Sequence, residues 1–504
     1  MLDYLTKRPM LFSAILCVIV SILIYTNKWA LLFIVPILIF LIWFFVFFKK
    51  NPRMVVCVIT VTTVVLSSVF TLEKVERLST LEGLTTEGEF VVVSQPVDRE
   101  TVYTTELEVI KSDLVPKGVK IYTYFYNDSL KLGEKVNAKI KLVSTIGSPF
   151  ERDNVANKIY LGGTVLNLEK TGESDLVLSS VDKVRVYIRS CLFENMKYDE
   201  AATMTAITFG DKDYFLDSFY KAAKYAGVAH VMVVSGMHLS IIILLFTKLM
   251  EKLFYNKYLR AITIVLAVVF LVALCGFTKS IIRAGFTYLL IAVSLFLGRK
   301  STPENALGGA VSIIMIFSPF VIFSVSFMLS CLATFGILVV AIPIMRYVNE
   351  KEIIKSKIIA WIVTAVLVSL SALLMTLPVV IYYFGYISKV SVITNLLIST
   401  AVTFALSITV LALIINLFFK PLAIVMFDLA EAVTKYINFV IVKFGASEKV
   451  IIFLEENTVY IAVAIIVVIL GLLLACKNKL DMVKLKKIDE KIVSEGGGRL
   501  KWRQ

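Results

Sequence analysis

From Val392 to Phe418 the chain runs without a single charged side chain. At about 1.5 Å of rise per residue, a helix needs roughly 20 apolar residues to cross the hydrocarbon core of a bilayer, so this run is long enough to span. Further apolar runs lie at Leu11 to Tyr25, Leu31 to Phe48 and Val55 to Leu72. After a long interruption they resume at Val231 to Met250, Ala261 to Phe277, Ile281 to Leu297, Ala306 to Phe323, Val325 to Ile344, Ile358 to Leu377 and Tyr460 to Cys476. One more, Leu422 to Ile441, carries Asp428, Glu431 and Lys435. Ionised side chains facing lipid are costly, so it reads as an interfacial segment or as the wall of a polar cavity. With 58% of its 504 residues apolar and 18% charged, the chain cannot disperse as a soluble domain. The expectation is an α-helical polytopic membrane protein of about 11–12 spans.

Lysine and arginine near span ends set orientation. Lys7 and Arg8, then Lys49, Lys50 and Arg53, place the N-terminus and the second connection in the cytoplasm, so the third span exits outward. Alternation puts Lys252, Lys257 and Arg260, then Arg299 and Lys300, then Arg346, Lys351, Lys355 and Lys357, on the inner side as well. The lysine-rich tail, residues 477–504, is also cytoplasmic provided that Leu422 to Ile441 spans. The first span lacks a small-residue cleavage site and reads as a membrane anchor, not a removed signal.

The interruption, residues 73–185, follows an outward-exiting span and is strand-like. Phe90 to Val93, Val102 to Ile110, Val119 to Tyr126, Val136 to Val143 and Ile159 to Leu168 are five short strands, with Gly133, Gly147 and Gly162-Gly163 at turn or bulge positions. They predict an inserted extracytoplasmic small β-barrel, OB-like in strand number. None of the six cysteines lies in it, so disulfides do not hold it together. The domain carries 18 acidic and 15 basic side chains, so the chain's net charge of +14 is concentrated elsewhere, chiefly at cytoplasmic span ends. Positive-inside topology accounts for that excess, and charge alone does not argue for nucleic acid.

Residues 186–229 form an amphipathic helical lead-in that carries Gly210-Asp211-Lys212. It enters the following span through Ala226-Gly-Val-Ala-His-Val-Met-Val-Val-Ser-Gly-Met-His-Leu-Ser. The chain's two histidines, His230 and His238, both sit in this run. Polar groups at membrane depth are functional hypotheses by default. Ser235 and His238 are three residues apart, as a nucleophile and base on one helical face would be, but no acidic orienting group is near them in sequence. The spacing of the two histidines along a regular helix does not suit a shared metal. No Gly-rich loop ending in Gly-Lys-(Ser/Thr) appears, so no cofactor, metal or nucleotide site is expected.

The run resembles the signature of the ComEC-type competence proteins, the inner-membrane channels of bacterial transformation. That signature reads roughly Gly-Asp-(Lys/Arg), then Ala-Gly-X-(Ser/Ala)-His and Ser-Gly-X-His. Further elements follow in order: Gly276 to Ala284 with Ser280 and Arg283, Ser318-Pro319 leading to Ser326-Phe327 and Ser330, and Pro378 through Phe384 and Ser388 to Asn395. The resemblance covers most of the chain up to about Cys476, with residues 1–72 as three N-terminal spans and 230–476 as the competence-type membrane domain. It implies a bacterial plasma-membrane channel for single-stranded DNA. Gly210, Asp211, Lys212, Gly227, Pro319, Phe327, Ser330 and Pro378 would be framework positions.

Cations must meet phosphates along such a path and donors must replace water, which suits Arg283 and Lys279 to the first task and His230, Ser235 and His238 to the second. Gly236 would open the helix, and Asn395 would complete the lining, although its element lacks the proline expected after it. The implied partners are a separate DNA receptor and a cytoplasmic helicase or ATPase, with the lipid bilayer around the chain and a homo-oligomer possible. The longer relatives carry a metallo-β-lactamase-like domain that needs several histidines, and none follows His238. The expectation is a form without it, with any nuclease on another polypeptide. The competing readings are a non-DNA transporter or export component on the same scaffold, and an intramembrane serine hydrolase using Ser235.

Overall fold

The computed structural model describes residues 8–27, 34, 52–98, 102–126, 130–148, 150–211, 213–232, 234–253, 256–296, 302–350, 353–455 and 457–468. The expected second span, Lys212, the Arg299 and Lys300 loop, the last span beyond residue 468 and the basic tail lie outside them.

The chain opens with α1 (Pro9–Thr26), whose proline sits in the first turn, where a missing N–H costs nothing, and α2 (Pro52–Ser79). Six strands follow: β1 (Thr85–Val92), β2 (Val97–Asp98), β3 (Tyr103–Ser112), β4 (Lys120–Phe125), β5 (Glu134–Ser144) and β6 (Ile159–Ser174). The short α3 (Glu151–Ala156) joins β5 to β6. Next come α4 (Leu176–Asn195), α5 (Tyr198–Phe209) and α6 (Asp217–Tyr225). The remaining helices are α7 (Gly236–Leu253), α8 (Lys257–Leu274), α9 (Lys279–Phe296), α10 (Pro303–Phe317), α11 (Val325–Gly336), α12 (Ile342–Glu350), α13 (Lys357–Phe384), α14 (Ser391–Asn416), α15 (Lys420–Gly445) and α16 (Thr458–Val468).

Among the described residues five helical stretches are long and apolar enough to cross a membrane: Pro9–Thr26, Val55–Ser79, Val325–Glu350, Lys357–Phe384 and Ser391–Asn416. Shorter apolar helices occupy Ala261–Leu274, Pro303–Phe317 and Thr458–Val468. The chain is a helical membrane protein. Two local expectations change. The amphipathic stretch after Gly210 is a single helix of 9 residues, α6, and the following membrane helix starts at Gly236 instead of Val231.

The described chain forms two compact units, one of residues 5–331 with 388–452 and one built around Leu332–Ile387. In the larger unit, all five expected strands are present. β1 pairs antiparallel with β5 and with β3, β5 with β6, and β3 with β4, while β4 and β6 run parallel, so the ladder returns to the strand it began with. The period-2 pattern explains it: Val136, Ala138, Ile140 and Leu142 point inward from β5 while Asn137, Lys139, Lys141 and Val143 point out. Phe90, Leu107, Ile121, Phe125 and Leu161 complete the core, each worth about 2 kcal/mol of burial. Phe320, from the turn after α10, also inserts there, and Tyr25 of α1 donates a 2.7 Å hydrogen bond to Glu151 of α3, which ties the sheet to the helices.

The first helix is held by a late one. The Met10 N–H donates to Asn305 Oδ1 at 2.9 Å and the Ser13 and Ser312 hydroxyls share a 3.0 Å bond, while Gly308 lies directly on the Leu11 backbone, where any side chain would collide. A second apolar core joins α4 to α9 with α14 and α15, burying Leu192, Met204, Ile207, Ile281, Ile398, Phe427 and Ile437. α15 turns Ala423, Phe427, Ala430 and Ile437 inward, and its Glu431 accepts the Lys197 N–H at 2.9 Å. The charges that made this segment ambiguous therefore include one with a polar partner.

In the smaller unit α11 runs into a π-helical turn, Ile337–Ala341, and then α12. Gly336 brings this helix against the Ser371 carbonyl and Met375 of α13. Pro378 lies inside α13.

Candidate functional site

The Ser-Gly-Met-His run is built as a helix start. Ser235 precedes α7, and its Oγ accepts the Met237 N–H at 3.3 Å, as an N-cap does. His238 reaches back so that its Nδ1 accepts the Ser235 N–H at 3.1 Å. This is the reciprocal logic of a capping box, with histidine in the place usually held by Glu or Gln. The bond fixes the tautomer: with Nδ1 accepting, the proton sits on Nε2. His238 is fully buried, and Nε2 has no hydrogen-bond partner among the described residues. His230 lies in a separate 3₁₀ turn, Ala229–Val231, so the two histidines do not share one regular helix, yet the rings are within electrostatic reach. His230 itself is exposed.

Arg283 comes in from α9. It is 5% exposed, its Nε donates to Ser330 Oγ of α11 at 3.1 Å, and Ser280 donates to the same oxygen at 2.8 Å. Its Nη2 lies 3.1 Å from where a Cβ on Gly236 would be, so glycine there makes room for the guanidinium against the start of α7. Among the described residues no carboxylate pairs with it. A buried cation whose partner is a neutral hydroxyl is expensive, and such groups mark functional positions in membranes.

The Gly-Asp element is tied to the same place. Gly210 ends α5 in the left-handed conformation (φ 86°), and Val234, next to Ser235, packs against it. Asp211 is buried and pairs with Arg189 of α4 at 2.5 Å. Arg185, one turn earlier, donates to Gln95 at 3.0 Å and stacks on Phe209, with 5.4 Å to the ring centroid. Burial and the neighbouring Asp211 charge push the Asp213 carboxyl up to about 6. Arg185 and Arg189 escaped the sequence reading. Their signal was two arginines four apart on a helix face that also carries Asp182, ahead of the acidic pair Asp211 and Asp213.

Gly227 (φ 76°) sits so close to Ser391 and Ser388 that a side chain would overlap them, and Thr394 donates to the Ala226 carbonyl at 2.7 Å. This brings the start of α14 against Ala226 and Gly227, just ahead of the His230 turn; Asn395, next to Thr394, is half-buried. Gly210, Asp211, Gly227, His230, Ser235, Gly236, His238, Arg283, Ser330 and Asn395 thus belong to one neighbourhood of the larger unit. Lys279 does not join Arg283: its electrostatic neighbours are Lys120, Lys158, Glu106 and Asp153 of the β region. Ser318, beside Pro319, donates to the Ala156 carbonyl at 3.5 Å, and Phe327 is fully buried, so this pair anchors the turn between α10 and α11. Pro378 belongs to the smaller unit. Among the described residues no group of three or more histidine, cysteine or acidic side chains is arranged to hold a metal.

A family model described as "Competence protein" matches residues 207–480. "ComE operon protein 3" of Bacillus subtilis (strain 168) is 24% identical over 252 residues, which are 49% of this chain and 30% of that protein. "Uncharacterized protein MG316 homolog" of Mycoplasma pneumoniae is 27% identical over 181 residues, 36% of this chain and 43% of its own length. The chain therefore spans less than half the length of these curated relatives. No solved structure matches it. The match to the family covers more than half of the chain and takes in the Gly-Asp, Ser-Gly-Met-His, Arg283 and Asn395 elements that the fold brings together, and on that ground the chain belongs to the competence protein family.

Proposed function

We propose that the chain is a plasma-membrane channel that admits single-stranded DNA to a bacterial cell. The observation that carries this reading is Arg283, buried against the Ser330 hydroxyl with no carboxylate partner among the described residues and packed on Gly236 at the start of the helix that carries His238. A phosphate passing this point would meet one cation and a donor, enough to offset lost hydration and too little to trap the strand. Family membership supports DNA as the cargo. The five-strand circuit, with its one parallel pairing, supports an OB-like barrel outside the membrane; the apolar runs of the sequence support about 11–12 spans, and the placement of lysine and arginine supports both termini inside. A DNA receptor outside and a helicase or ATPase inside would supply capture and drive.

The channel reading leaves no catalytic role for Ser235. Its Oγ is engaged by the Met237 N–H and the His238 Nδ1 by a backbone amide, an arrangement that serves capping better than nucleophile activation. A non-DNA transporter on the same scaffold is the competing reading.

The test is uptake of labelled DNA into a protease-protected compartment, in cells with the intact gene, a deletion, or His238→Ala and Arg283→Ala forms at equal expression. Loss of internalisation with surface binding retained, reproduced by both substitutions, is the expected result. Unchanged uptake after deletion in a naturally competent host would sink the reading.

A further inference from the structure

A groove runs along the later half of α2. Thr63, Leu66, Ser67, Phe70, Thr71 and Lys74 line it, three and four residues apart so that all share one helical face, and it offers about 390 Å³. That is room for a small organic ligand. Leu66 is 54% and Phe70 is 68% exposed, while the Thr63 and Thr71 hydroxyls donate to the Ile59 and Ser67 carbonyls of their own helix at 2.9 and 2.8 Å. The face can therefore meet hydrocarbon with those hydroxyls already paired.

Depth decides what fills it. Thr63 stands at the middle of the charge-free stretch Val55 to Leu72, and Lys74 follows its outer end. From Thr63 to Lys74 the helix rises about 16 Å, one leaflet's share of a hydrocarbon core roughly 30 Å thick. The groove thus starts near the bilayer midplane and ends where phospholipid headgroups begin.

Cations gather at that outer end. The Lys74 ammonium lies 5.8 Å from the centroid of the buried Tyr160 ring on β6. Lys158, in the turn between α3 and β6, lies within electrostatic reach of Lys74 and Lys120, and Lys279 lies within reach of Lys120 and Lys158 as well as of Glu106 and Asp153. Lys120 is paired with Glu106 at 2.9 Å, but among the described residues no ion pair joins Lys74, Lys158 or Lys279 to a carboxylate. Lys158 takes φ 62°, a left-handed conformation disfavoured for a residue with a Cβ. These lysines lie outside the membrane in the topology proposed above, so positive-inside placement does not account for them.

The α3 turn itself belongs at the membrane surface. Tyr25, at the outer end of α1, bonds Glu151 of α3 at 2.7 Å, and Phe150, at the cap of the same helix, is 71% exposed. Aromatic side chains favour the boundary between hydrocarbon and water.

We propose that α2 and the turn between α3 and β6 form a binding site for one anionic glycerophospholipid of the outer leaflet, its phosphate between Lys74 and Lys158 and one acyl chain along the groove. The inference goes beyond the channel reading and needs only that α2 crosses the membrane with Lys74 outside. The phosphate neutralises lysines that otherwise repel one another, and the lipid ties the β region to the end of α2. A face that is cationic at the headgroup level and stops at the midplane fits a lipid of one leaflet better than a spanning helix.

The experiment places the full chain in phosphatidylcholine nanodiscs with a photoactivatable probe, either a phosphatidylglycerol or a phosphatidylcholine with a diazirine in one acyl chain, and maps the labelled peptides. The phosphatidylglycerol probe should label the Thr63 to Lys74 segment about fivefold more than the phosphatidylcholine probe does. Lys74→Gln with Lys158→Gln should bring the two probes level, and the matching Lys→Arg pair should restore the difference. Ser67→Phe, which fills the groove, should reduce labelling by both. The phosphatidylcholine signal is the internal control: a folding defect moves both probes, a lost headgroup contact only one. Equal labelling by the two probes in the unaltered chain overturns the site and leaves boundary lipid only. A segment that neither probe labels overturns it as well, because protein then fills the groove. Lysine variants that keep the phosphatidylglycerol preference and lose binding of oligothymidylate would assign the cluster to nucleic acid, and the lipid site would fall.

Discussion

The β region and the helical site treat buried polar groups in opposite ways. Between β1 and β6, polar side chains turned inward are engaged: Thr86 bonds Asp113 at 2.6 Å, Thr105 donates to the Ser94 carbonyl at 2.9 Å, and Thr123 donates to the Thr105 carbonyl at 3.0 Å. Among the described residues, none of the buried side-chain polar atoms without a protein partner lies in those strands. They lie in or beside the helices, and Arg185 Nε, Arg189 Nε, His238 Nε2, Thr278 Oγ1 and Ser388 Oγ all belong to the elements that build the candidate site. An unmade hydrogen bond costs about 1–3 kcal/mol, so a fold that closes its polar bonds in one region and leaves several open in another is stable in the first and poised to receive something in the second.

That contrast breaks most sharply at Arg283. Arg283→Met keeps the stem and removes the charge, so DNA uptake should fall at least a hundredfold while thermal stability in detergent holds or rises, since an unpaired buried charge disappears. A stability loss as large as the uptake loss would place Arg283 with the structural residues. The opposite result is expected in the sheet. Phe90→Ala empties a fully buried position and should cost about 3–5 kcal/mol, read as loss of the β region's protease resistance.

A smaller effect should follow pH at Asp213. Its carboxyl is raised in the folded chain, so the stability tied to it is fully present below the ordinary carboxylate range and declines as pH climbs through about 6. Asp213→Asn should flatten that decline between pH 4 and 6 in a thermal-shift titration; an unchanged profile would remove Asp213 from the account. The smallest effect belongs to Lys139, whose pair with Glu87 on the sheet is exposed and screened by solvent, so Lys139→Gln should leave the melting point nearly unmoved.

What was legible in the sequence follows the same division. Strands whose every second residue is apolar, as in Val136 to Leu142, carry their period on the surface of the text, and so do charge-free runs long enough to cross a bilayer. β2 has only two residues and α3 only six, too short for any period to register. The lead-in read as one amphipathic stretch because the breaks that divide it, at Gly210 between α5 and α6 and at Gly227 after α6, show their left-handed geometry only in space. The four Ser-Gly-Met-His residues were visible, but their capping role was not, because histidine is an unusual partner for an N-cap amide. The Arg189–Asp211 pair joins residues 22 apart through a fold that local spacing does not encode.

The grip of α10 on α1 sets a clock. Ser13 finds its partner in Ser312, 299 residues later, and at about 5–20 residues per second the ribosome takes roughly 15–60 s to make that distance. For that interval the first helix must wait with α2 as its neighbour and its Ser13 side unclaimed, while the whole β region emerges and folds. Chain birth thus has an order of events: the N-terminal helix enters first and is locked late, and any chain halted before Pro303 would leave it open to capture by the wrong neighbour.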